Sequence, residues 1–403
     1  MKAVLRILFC VALLSACCAA QFQHIVIIVQ ENRTPDNLFG AAPPPGADVI
    51  AQGSAIALGN SANPDHKHSS YLAELKKWPS KSLGYVRQSD IQPYIDLANE
   101  YGFANRMFQT NEGSSTAAHM FLFAGTSAPS ETSDLFESES SPGGCLNTTD
   151  KTWFIDPTGN EKLRGSACLN PITLTDLLDG AGITWRYYTP SQNSMWSAPT
   201  GIQHICIPNG LQNKKSCYGP EWANVSIPSP NVLTDIAKGR LAQVSWVIPA
   251  SSYSDHPLNG SGGPAWVASI VNAIGQSQYW QNTAILVTWD DWGGWYDHVP
   301  ALPNTTGWCT SYCYGFRVPL LMIAASTPPN CIDNVNYDFG SILAFVEDNW
   351  TLPRLGHADS YANSLSGSNC LPVTAGAARP FTTIKARALR ASELASTDDP
   401  DDY

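Results

Sequence analysis

Two polar pairs follow two apolar runs of the chain, and their residue types could bind a metal ion. Glu31-Asn32 comes directly after His24–Gln30, and Asp290-Asp291 comes directly after Thr283–Trp289. Carboxylates that converge repel one another unless a cation neutralises them. Carboxylate oxygens suit Mg²⁺, Ca²⁺ or Mn²⁺, and nearby histidines extend the choice to Zn²⁺ or iron. We therefore predict a divalent metal site; the alternative is that each acid caps a turn or a helix.

A hydroxyl nucleophile for such a site occurs in the segment 111–119, which reads NEGSSTAAH. The small residues and hydroxyls predict a helix start, where backbone N–H groups favour an anion such as phosphate. A serine beside a divalent cation can be deprotonated near neutral pH and attack phosphorus. Ser114, Ser115 and Thr116 all remain candidates, and an ordinary helix cap is the simpler alternative. The absence of G-x-S-x-G and of a P-loop motif argues against an α/β-hydrolase esterase and a P-loop nucleotide site.

The elements that must position these residues are short apolar strands and amphipathic helices. Strands are predicted at His24–Gln30, Leu241–Ile248, Thr283–Trp289 and Val318–Ala324, and helices at Pro93–Tyr101, Leu174–Ala181, Pro264–Gln276 and Ser341–Asn349. Unbroken apolar runs that alternate with helices favour an α/β fold, with a central, mostly parallel sheet flanked by helices on both faces. Ligands bind outside the carboxyl ends of such strands, where both pairs lie.

The chain is expected to be exported. Residues 1–20 have a basic start, a short apolar core and a cleavage zone of small residues, which is typical of a secretory signal. Cleavage before Gln21 would release a soluble protein, whereas Leu14–Cys17 also resembles a lipobox in which Cys17 would carry a lipid anchor. We expect one catalytic domain over residues 21–375 with long loop insertions, and a flexible tail over 376–403. The expected location is secreted, periplasmic or associated with the cell envelope.

Cysteine usage and charge agree with export. Eight cysteines lie beyond the leader, and an even number in an exported chain favours disulfides over a zinc site at Cys309 and Cys313. Proximity suggests the pairs Cys145–Cys168 and Cys206–Cys217. The net charge of −11, with no basic stripe, argues against nucleic acid as a partner. Beyond the leader no apolar run reaches the roughly 20 residues that a transmembrane segment needs.

Several blocks resemble the bacterial and fungal phosphoesterase family that includes non-haemolytic phospholipases C and respiratory-burst-inhibiting acid phosphatases. They are HIVIIVQENRTPDNLFG from His24, NEGSSTAAHMFLFAGTS from Asn111, SDHP from Ser254, TAILVTWDDWGGWYDHVP from Thr283, and YGFRVPLLMIA with GSILAFVEDNWTLP further on. They cover most of the chain between Gln21 and Leu371. The resemblance implies an alkaline-phosphatase-like fold.

The resemblance also implies roles for individual residues. It places a metal ion, of unspecified identity, on Glu31, Asn32, Asp290 and Asp291. It makes Ser115 the nucleophile, and Asn32 also faces the substrate. The second acid of the late pair is commonly Glu in the family, so Asp291 is a shorter ligand here.

Five histidines follow from the same resemblance. His256 of SDHP would contact or protonate the phosphoryl group. An upstream histidine lines the pocket, for which His66 is preferred over His68. His119, one helical turn after Ser115, would help hold the substrate, and His204 is a weaker substrate-binding candidate.

The predicted function is metal-dependent hydrolysis of phosphate esters through a phosphoseryl intermediate. The larger phospholipases of the family carry extra C-terminal domains that this sequence lacks, which favours acid-phosphatase-like activity. The first alternative is a phospholipase C acting on phosphatidylcholine-type lipids. The second is a catalytically silent surface protein that binds phosphate or metal.

Overall fold

The structure, a computed structural model, describes most of the chain beyond residue 20. The described residues are 21–59, 62–79, 83–128, 135–137, 144–147, 151–210, 216–258, 261–304, 309, 312–372 and 378–397. The predicted leader, its lipobox cysteine Cys17 and the acidic end of the tail lie outside these residues.

Fifteen strands occur in the described residues. They are β1 His24–Gln30, β2 Ala55–Ile56, β3 Tyr85–Val86, β4 Gly102–Ala104, β5 Leu135–Glu137, β6 Thr152–Ile155, β7 Glu161–Arg164, β8 Trp185–Tyr188, β9 Ile207–Asn209, β10 Ser216–Tyr218, β11 Val225–Ser226, β12 Val244–Val247, β13 Thr283–Trp289, β14 Leu320–Ala324 and β15 Cys331–Asp333. Eight of them form one sheet in the order β11-β8-β12-β1-β13-β14-β4-β15. The predicted bounds of β1 and β13 are confirmed, whereas β12 and β14 are shorter than predicted.

The central sheet is mostly parallel, as predicted. The pairs β11–β8, β8–β12, β12–β1, β1–β13 and β4–β15 are parallel. The strand β14 runs antiparallel to both of its neighbours, β13 and β4. All other strands of this sheet therefore point in one direction, and the carboxyl ends of β8, β12, β1, β13 and β4 meet at one edge.

Nine α-helices occur in the described residues. They are α1 Pro35–Phe39, α2 His68–Lys77, α3 Gln88–Glu100, α4 Ser115–Ala124, α5 Leu174–Ala181, α6 Asn231–Ala237, α7 Gly263–Gly275, α8 Phe339–Trp350 and α9 Ala391–Leu394. The helices α3 and α6 pack against α7, while α5 and α8 pack against α4. The strand β13 between these layers is buried at every residue. No helix in the described part of the chain is long and apolar enough to cross a membrane.

Disulfide bonds and contacts of the C-terminal segment hold the loops against this core. The predicted bonds Cys145–Cys168 and Cys206–Cys217 are present, and Cys309–Cys313 and Cys331–Cys370 join the other four cysteines. Cys309 and Cys313 thus bond to each other, which excludes the zinc alternative for them.

Part of the C-terminal segment, for which the sequence suggests a flexible tail, contacts the domain. Within residues 378–397, the Arg379 guanidinium donates to the Thr327 carbonyl at 2.7 Å, and the Arg379 carbonyl accepts from Trp280 Nε1 at 2.8 Å. Phe381 lies edge-on to the Trp280 ring, with centroids 5.0 Å apart. The described part of the tail is thus packed against the domain, because its aromatic ring covers an apolar surface.

Candidate active site

The two polar pairs lie side by side at the carboxyl edge of the sheet. In the parallel pairing of β1 with β13, Gln30 lies opposite Trp289, so Glu31 and Asp290 leave adjacent strands at the same level. The Asn32 N–H donates to Asp290 Oδ1 at 2.9 Å. Glu31, Asn32, Asp290 and Asp291 are each 0 % exposed. The register of two central strands therefore brings together residues more than 250 positions apart.

A tight backbone arrangement holds Asn32 in place. Asn32 has a φ of 60°, in the left-handed region that asparagine tolerates better than most residues. Gly293, with a φ of 61°, lies against it, and a Cβ at Gly293 would overlap the Asn32 carbonyl oxygen. The loop after β13 can approach Asn32 this closely because residue 293 is glycine.

The predicted nucleophile faces the second acid of the late pair. Ser115 is the first residue of α4 and is fully buried. Its Oγ donates to Asp291 Oδ2 at 3.0 Å, and Asp291 Oδ1 accepts from the Gly293 N–H at 2.7 Å. One turn along α4, His119 Nε2 lies 3.1 Å from Glu31 Oε1 and 4.0 Å from Asp290 Oδ2. One face of α4 thus contacts both polar pairs.

Glu31, His119 and Asp290 form a group that could hold a metal ion. Each offers a ligand atom, and these atoms lie within 4.8 Å of one another. Asp290 Oδ2 is buried and has no hydrogen-bond partner among the described residues. A buried carboxylate oxygen without a donor is costly. A divalent cation would remove that cost, so the residues fit the metal that the sequence predicted.

The Asn32 amide lies between the carboxylates and two histidines, and its oxygen and nitrogen can be placed in two ways. In one placement Oδ1 lies 3.2 Å from both Glu31 Oε2 and Asp290 Oδ1, while Nδ2 donates to His66 Nε2 at 3.1 Å. Three acceptor oxygens then face one another, which is stable only with a cation among them. Turned over, Nδ2 would donate to the carboxylates and Oδ1 would accept from His66 and His256, at 3.1 and 3.3 Å.

In the second placement Oδ1 faces the two imidazole rings. His66 Nδ1 donates to the Pro64 carbonyl at 3.0 Å, and His256 Nδ1 donates to the Pro257 carbonyl at 2.7 Å. Each Nε2 could then donate to Asn32 only if its ring were protonated on both nitrogens. In both placements the Nε2 atoms of His66 and His256 face the Asn32 amide, at 3.1 and 3.3 Å.

The other two predicted histidines make their contacts elsewhere. His68 lies between two carboxylates, with Nδ1 3.0 Å from Glu161 and Nε2 3.1 Å from Glu112. His204 accompanies Asp176 and Glu221 in a half-buried group, and the bond to Asp176 raises the pKa of His204. These contacts are with carboxylates other than Glu31, Asp290 and Asp291, and the substrate-binding role of both histidines stays a prediction.

Trp196 belongs to the site although nothing in the sequence singled it out. Its ring is fully buried and stacks on His119 at 6.5 Å, and it lies 6.0 Å from His256. The loop after β8 carries it, and the Trp196 carbonyl accepts from the Tyr187 hydroxyl of β8 at 3.0 Å. The strand order brings this loop to the site, and no sequence motif marks it.

Asp255 is a second residue that the sequence left aside, although it precedes His256. Its Oδ2 accepts from the Tyr94 hydroxyl at 2.8 Å and from Trp289 Nε1 at 3.0 Å. Its carbonyl accepts from the buried Arg33 at 2.7 Å. Burial raises the pKa of Asp255 to about 6, against the opposing effect of these donors. These contacts fix the backbone from which His256 projects.

Comparison with known proteins identifies the family. The sequence profile of the Phosphoesterase family matches residues 52–353. The chain is 24% identical to a non-hemolytic phospholipase C of Pseudomonas aeruginosa over 81% of this chain and 53% of the relative. It is 23% identical to an acid phosphatase of Aspergillus fumigatus over 72% of this chain and 65% of the relative.

The chain spans about half the length of the first of these relatives. Among solved structures it is similar to a protein in the alkaline phosphatase superfamily from Vibrio parahaemolyticus, with 13% identity and a TM-score of 0.42 over 85% of this chain and 71% of that one. The family profile covers three quarters of the sequence, including Ser115, His256 and the late acidic pair. The chain belongs to the Phosphoesterase family.

Proposed function

We propose that this protein is a metal-dependent phosphoric ester hydrolase that uses Ser115 as its nucleophile. The observation that carries the proposal is the contact between Ser115 Oγ and Asp291 Oδ2, 3.0 Å apart, beside the group formed by Glu31, His119 and Asp290. A hydroxyl that donates to a carboxylate has a proton acceptor in place and can attack an electrophile. The family membership supports phosphorus as that electrophile.

Glu31, Asn32 and Asp290 would hold the metal. His119 and Asp291 would lie next to it. A divalent cation bound there would neutralise phosphoryl oxygens and make the serine hydroxyl easier to deprotonate. The mixture of carboxylate, amide and imidazole donors suits Mn²⁺, Zn²⁺ or iron as well as Mg²⁺ or Ca²⁺.

The remaining steps belong to the protein's own residues. Ser115 passes its proton to Asp291 Oδ2 as the Oγ–P bond forms and the bond from phosphorus to the leaving oxygen breaks. His256, protonated on Nε2, gives that proton to the leaving oxygen. Water then attacks the phosphoseryl group and gives a proton to the now neutral His256, while Asp291 returns its proton to Ser115 as the Oγ–P bond breaks. His66, whose Nε2 faces the same Asn32 amide atom as that of His256, would hold a phosphoryl oxygen.

The natural substrate is proposed as a phosphate monoester, as for an acid phosphatase. The alternative is a phospholipid, cleaved as by a phospholipase C such as the Pseudomonas aeruginosa relative. Export is proposed on the leader sequence and is supported by the four disulfides, which persist in oxidising compartments.

Substitution of the candidate nucleophiles tests the proposal. We expect Ser115→Ala to lower kcat on p-nitrophenyl phosphate by at least about 10³-fold, as loss of a nucleophile does elsewhere. Thr116→Val is the matched control, because the buried Thr116 hydroxyl lies one residue away and has no hydrogen-bond partner among the described residues. Near-normal turnover by Ser115→Ala in buffer containing metal would disprove the serine mechanism.

A substrate panel separates the remaining alternatives. Turnover of p-nitrophenyl phosphate without release of phosphocholine from phosphatidylcholine vesicles would support the phosphatase, and the reverse would support the phospholipase. Phosphate binding without turnover of either substrate, with Mg²⁺, Ca²⁺, Mn²⁺, Zn²⁺ and Fe²⁺ each added, would favour a silent binding protein.

A further inference from the structure

Gln109 connects the loop that carries the candidate nucleophile to the loop that carries Asp291. It lies between β4 and α4 and is 0 % exposed. Its Oε1 accepts from the Trp292 N–H at 2.7 Å, and its Nε2 donates to the Asn111 carbonyl at 2.6 Å. Trp292 follows Asp291 directly, and Asn111 lies four residues before Ser115. The Gln109 side chain therefore links the backbone that precedes Ser115 to the backbone that follows Asp291. The side chains of Ser115 and Asp291 contact each other between these two segments.

The position allows this side chain little freedom. The Gln109 N–H donates to the Phe316 carbonyl at 3.2 Å, and the Gly315 N–H donates to the Gln109 carbonyl at 3.0 Å. A Cβ at Gly315 would overlap Gln109 Cγ. The backbone and the packing against Gly315 therefore direct the amide between the two loops, and a second, longer contact joins Nε2 to the Gly113 carbonyl at 3.5 Å.

The two hydrogen bonds require a side chain that both accepts and donates, as an amide does. The Trp292 N–H needs an acceptor and the Asn111 carbonyl needs a donor. A carboxylate accepts but cannot donate, so it would leave the Asn111 carbonyl facing a negative charge. A carboxylic acid has nearly the shape of an amide and can do both. A leucine side chain can do neither.

We propose that Gln109 is a positioning residue that sets the distance between Ser115 Oγ and Asp291 Oδ2. This inference rests on the proposed function of Ser115. The amide holds both loops at fixed separation, and displacement of a reacting group by about 1 Å can lower the rate about 100-fold. The hydrogen bonds of the Gln109 amide go to the backbone of Asn111 and Trp292, next to the two reacting residues.

The pH dependence of Gln109→Glu tests the requirement for a donor and an acceptor. With metal-loaded protein and p-nitrophenyl phosphate, we expect kcat to fall about 100-fold at pH 8, with KM changed less than about threefold because no substrate contact is removed. As the pH is lowered and the new side chain gains a proton, the ratio of variant to wild-type kcat should rise at least about tenfold. Gln109→Leu should be impaired at every pH.

A matched control and a stability measurement complete the test. Gln243 also accepts a backbone N–H, that of Thr184 at 3.0 Å, but it lies directly before β12, at the edge of the sheet opposite the site. Gln243→Glu should leave kcat unchanged. Circular dichroism at each pH shows whether a variant is folded, and if Gln109→Leu does not fold, recovery of Gln109→Glu at low pH still tests the two bonds.

The outcomes separate this inference from the function on which it rests. Wild-type kcat in both Gln109 variants, with an inactive Ser115→Ala, would overturn the positioning role and leave the function intact. Equal impairment of a folded Gln109→Glu at every pH would also overturn it, because protonation would then restore nothing. Normal turnover by Ser115→Ala would instead overturn the proposed function.

Discussion

Asp290 is the residue whose environment most directly calls for a bound cation. Its buried Oδ2 has no hydrogen-bond partner in the described part of the chain, and a carboxylate oxygen of Glu31 lies within 4.8 Å of an Asp290 oxygen. We expect Asp290→Asn to raise the thermal unfolding midpoint in metal-free buffer, because one repelling charge is removed. With metal present the variant should gain less stability than the wild type. A 100-fold weaker Kd removes about 2.7 kcal/mol of ligand stabilisation at saturating metal.

Scanning calorimetry with and without added metal measures both effects. Asp235→Asn is a suitable control, because Asp235 is paired with Arg240 at 2.7 Å, away from the polar pairs. An equal metal-induced shift in Asp290→Asn and wild type would remove Asp290 from the ligand set.

Trp196 should affect catalysis through its ring rather than its N–H group. The indole nitrogen is buried and has no partner among the described residues, whereas the ring lies against both His119 and His256. We expect Trp196→Ala to lower kcat/KM at least about tenfold, because the two imidazoles lose the aromatic surface that orients them. Trp196→Phe should retain most of the activity. A Phe variant as impaired as the Ala variant would show that the N–H group matters instead.

At the scale of elements, the turn after β13 links the pairing of β1 and β13 to the position of Asn32 in the site. Gly293 and Gly182 both have left-handed φ values, 61° and 71°. A Cβ at Gly293 would overlap the Asn32 carbonyl, whereas nothing lies within 4 Å of a Cβ at Gly182. Both alanine variants should lose about 1–2 kcal/mol of stability through backbone strain. Gly293→Ala alone should lose most of its activity, because Asn32 must move.

Chemical denaturation and steady-state kinetics on the two variants test this difference. Comparable activity in Gly293→Ala and Gly182→Ala would mean that the position of Asn32 is not set by this turn.

The secondary-structure elements show how much of the fold and of the site can be predicted from the sequence. An unbroken apolar run with a polar end defined β1 and β13 residue for residue, because a strand buried on both faces leaves a continuous signal. The same signal appears in β14, which is antiparallel, since burial alone does not encode direction. Trp196 and Gln109 escaped notice because their roles come from the strand order and from loop contacts, to which no short sequence pattern corresponds.

At the scale of the whole molecule, buried acids at α8 link stability to pH. Asp338 caps this helix, accepting from the Ser341 N–H at 3.1 Å, and Glu347 lies near its other end beside Arg354. Burial raises the pKa of each carboxyl group to about 7, and the negative charge of Asp359 adds to both shifts. The unfolded chain would release these protons near pH 4.

Between about pH 4 and pH 7 the folded protein therefore binds more protons than the unfolded chain, so the free energy of unfolding falls as the pH rises through this window. The stabilisation is complete below pH 4 and lost above pH 7. Asp338→Asn keeps a capping oxygen without the charge, and it should reduce the difference in unfolding free energy between pH 5 and pH 8 by about 2–3 kcal/mol. Urea unfolding at constant metal content measures this difference. Asp348→Asn, exposed on the same helix, should leave it unchanged, and an equally steep pH dependence in Asp338→Asn would mean that Asp338 does not hold a proton in the folded state.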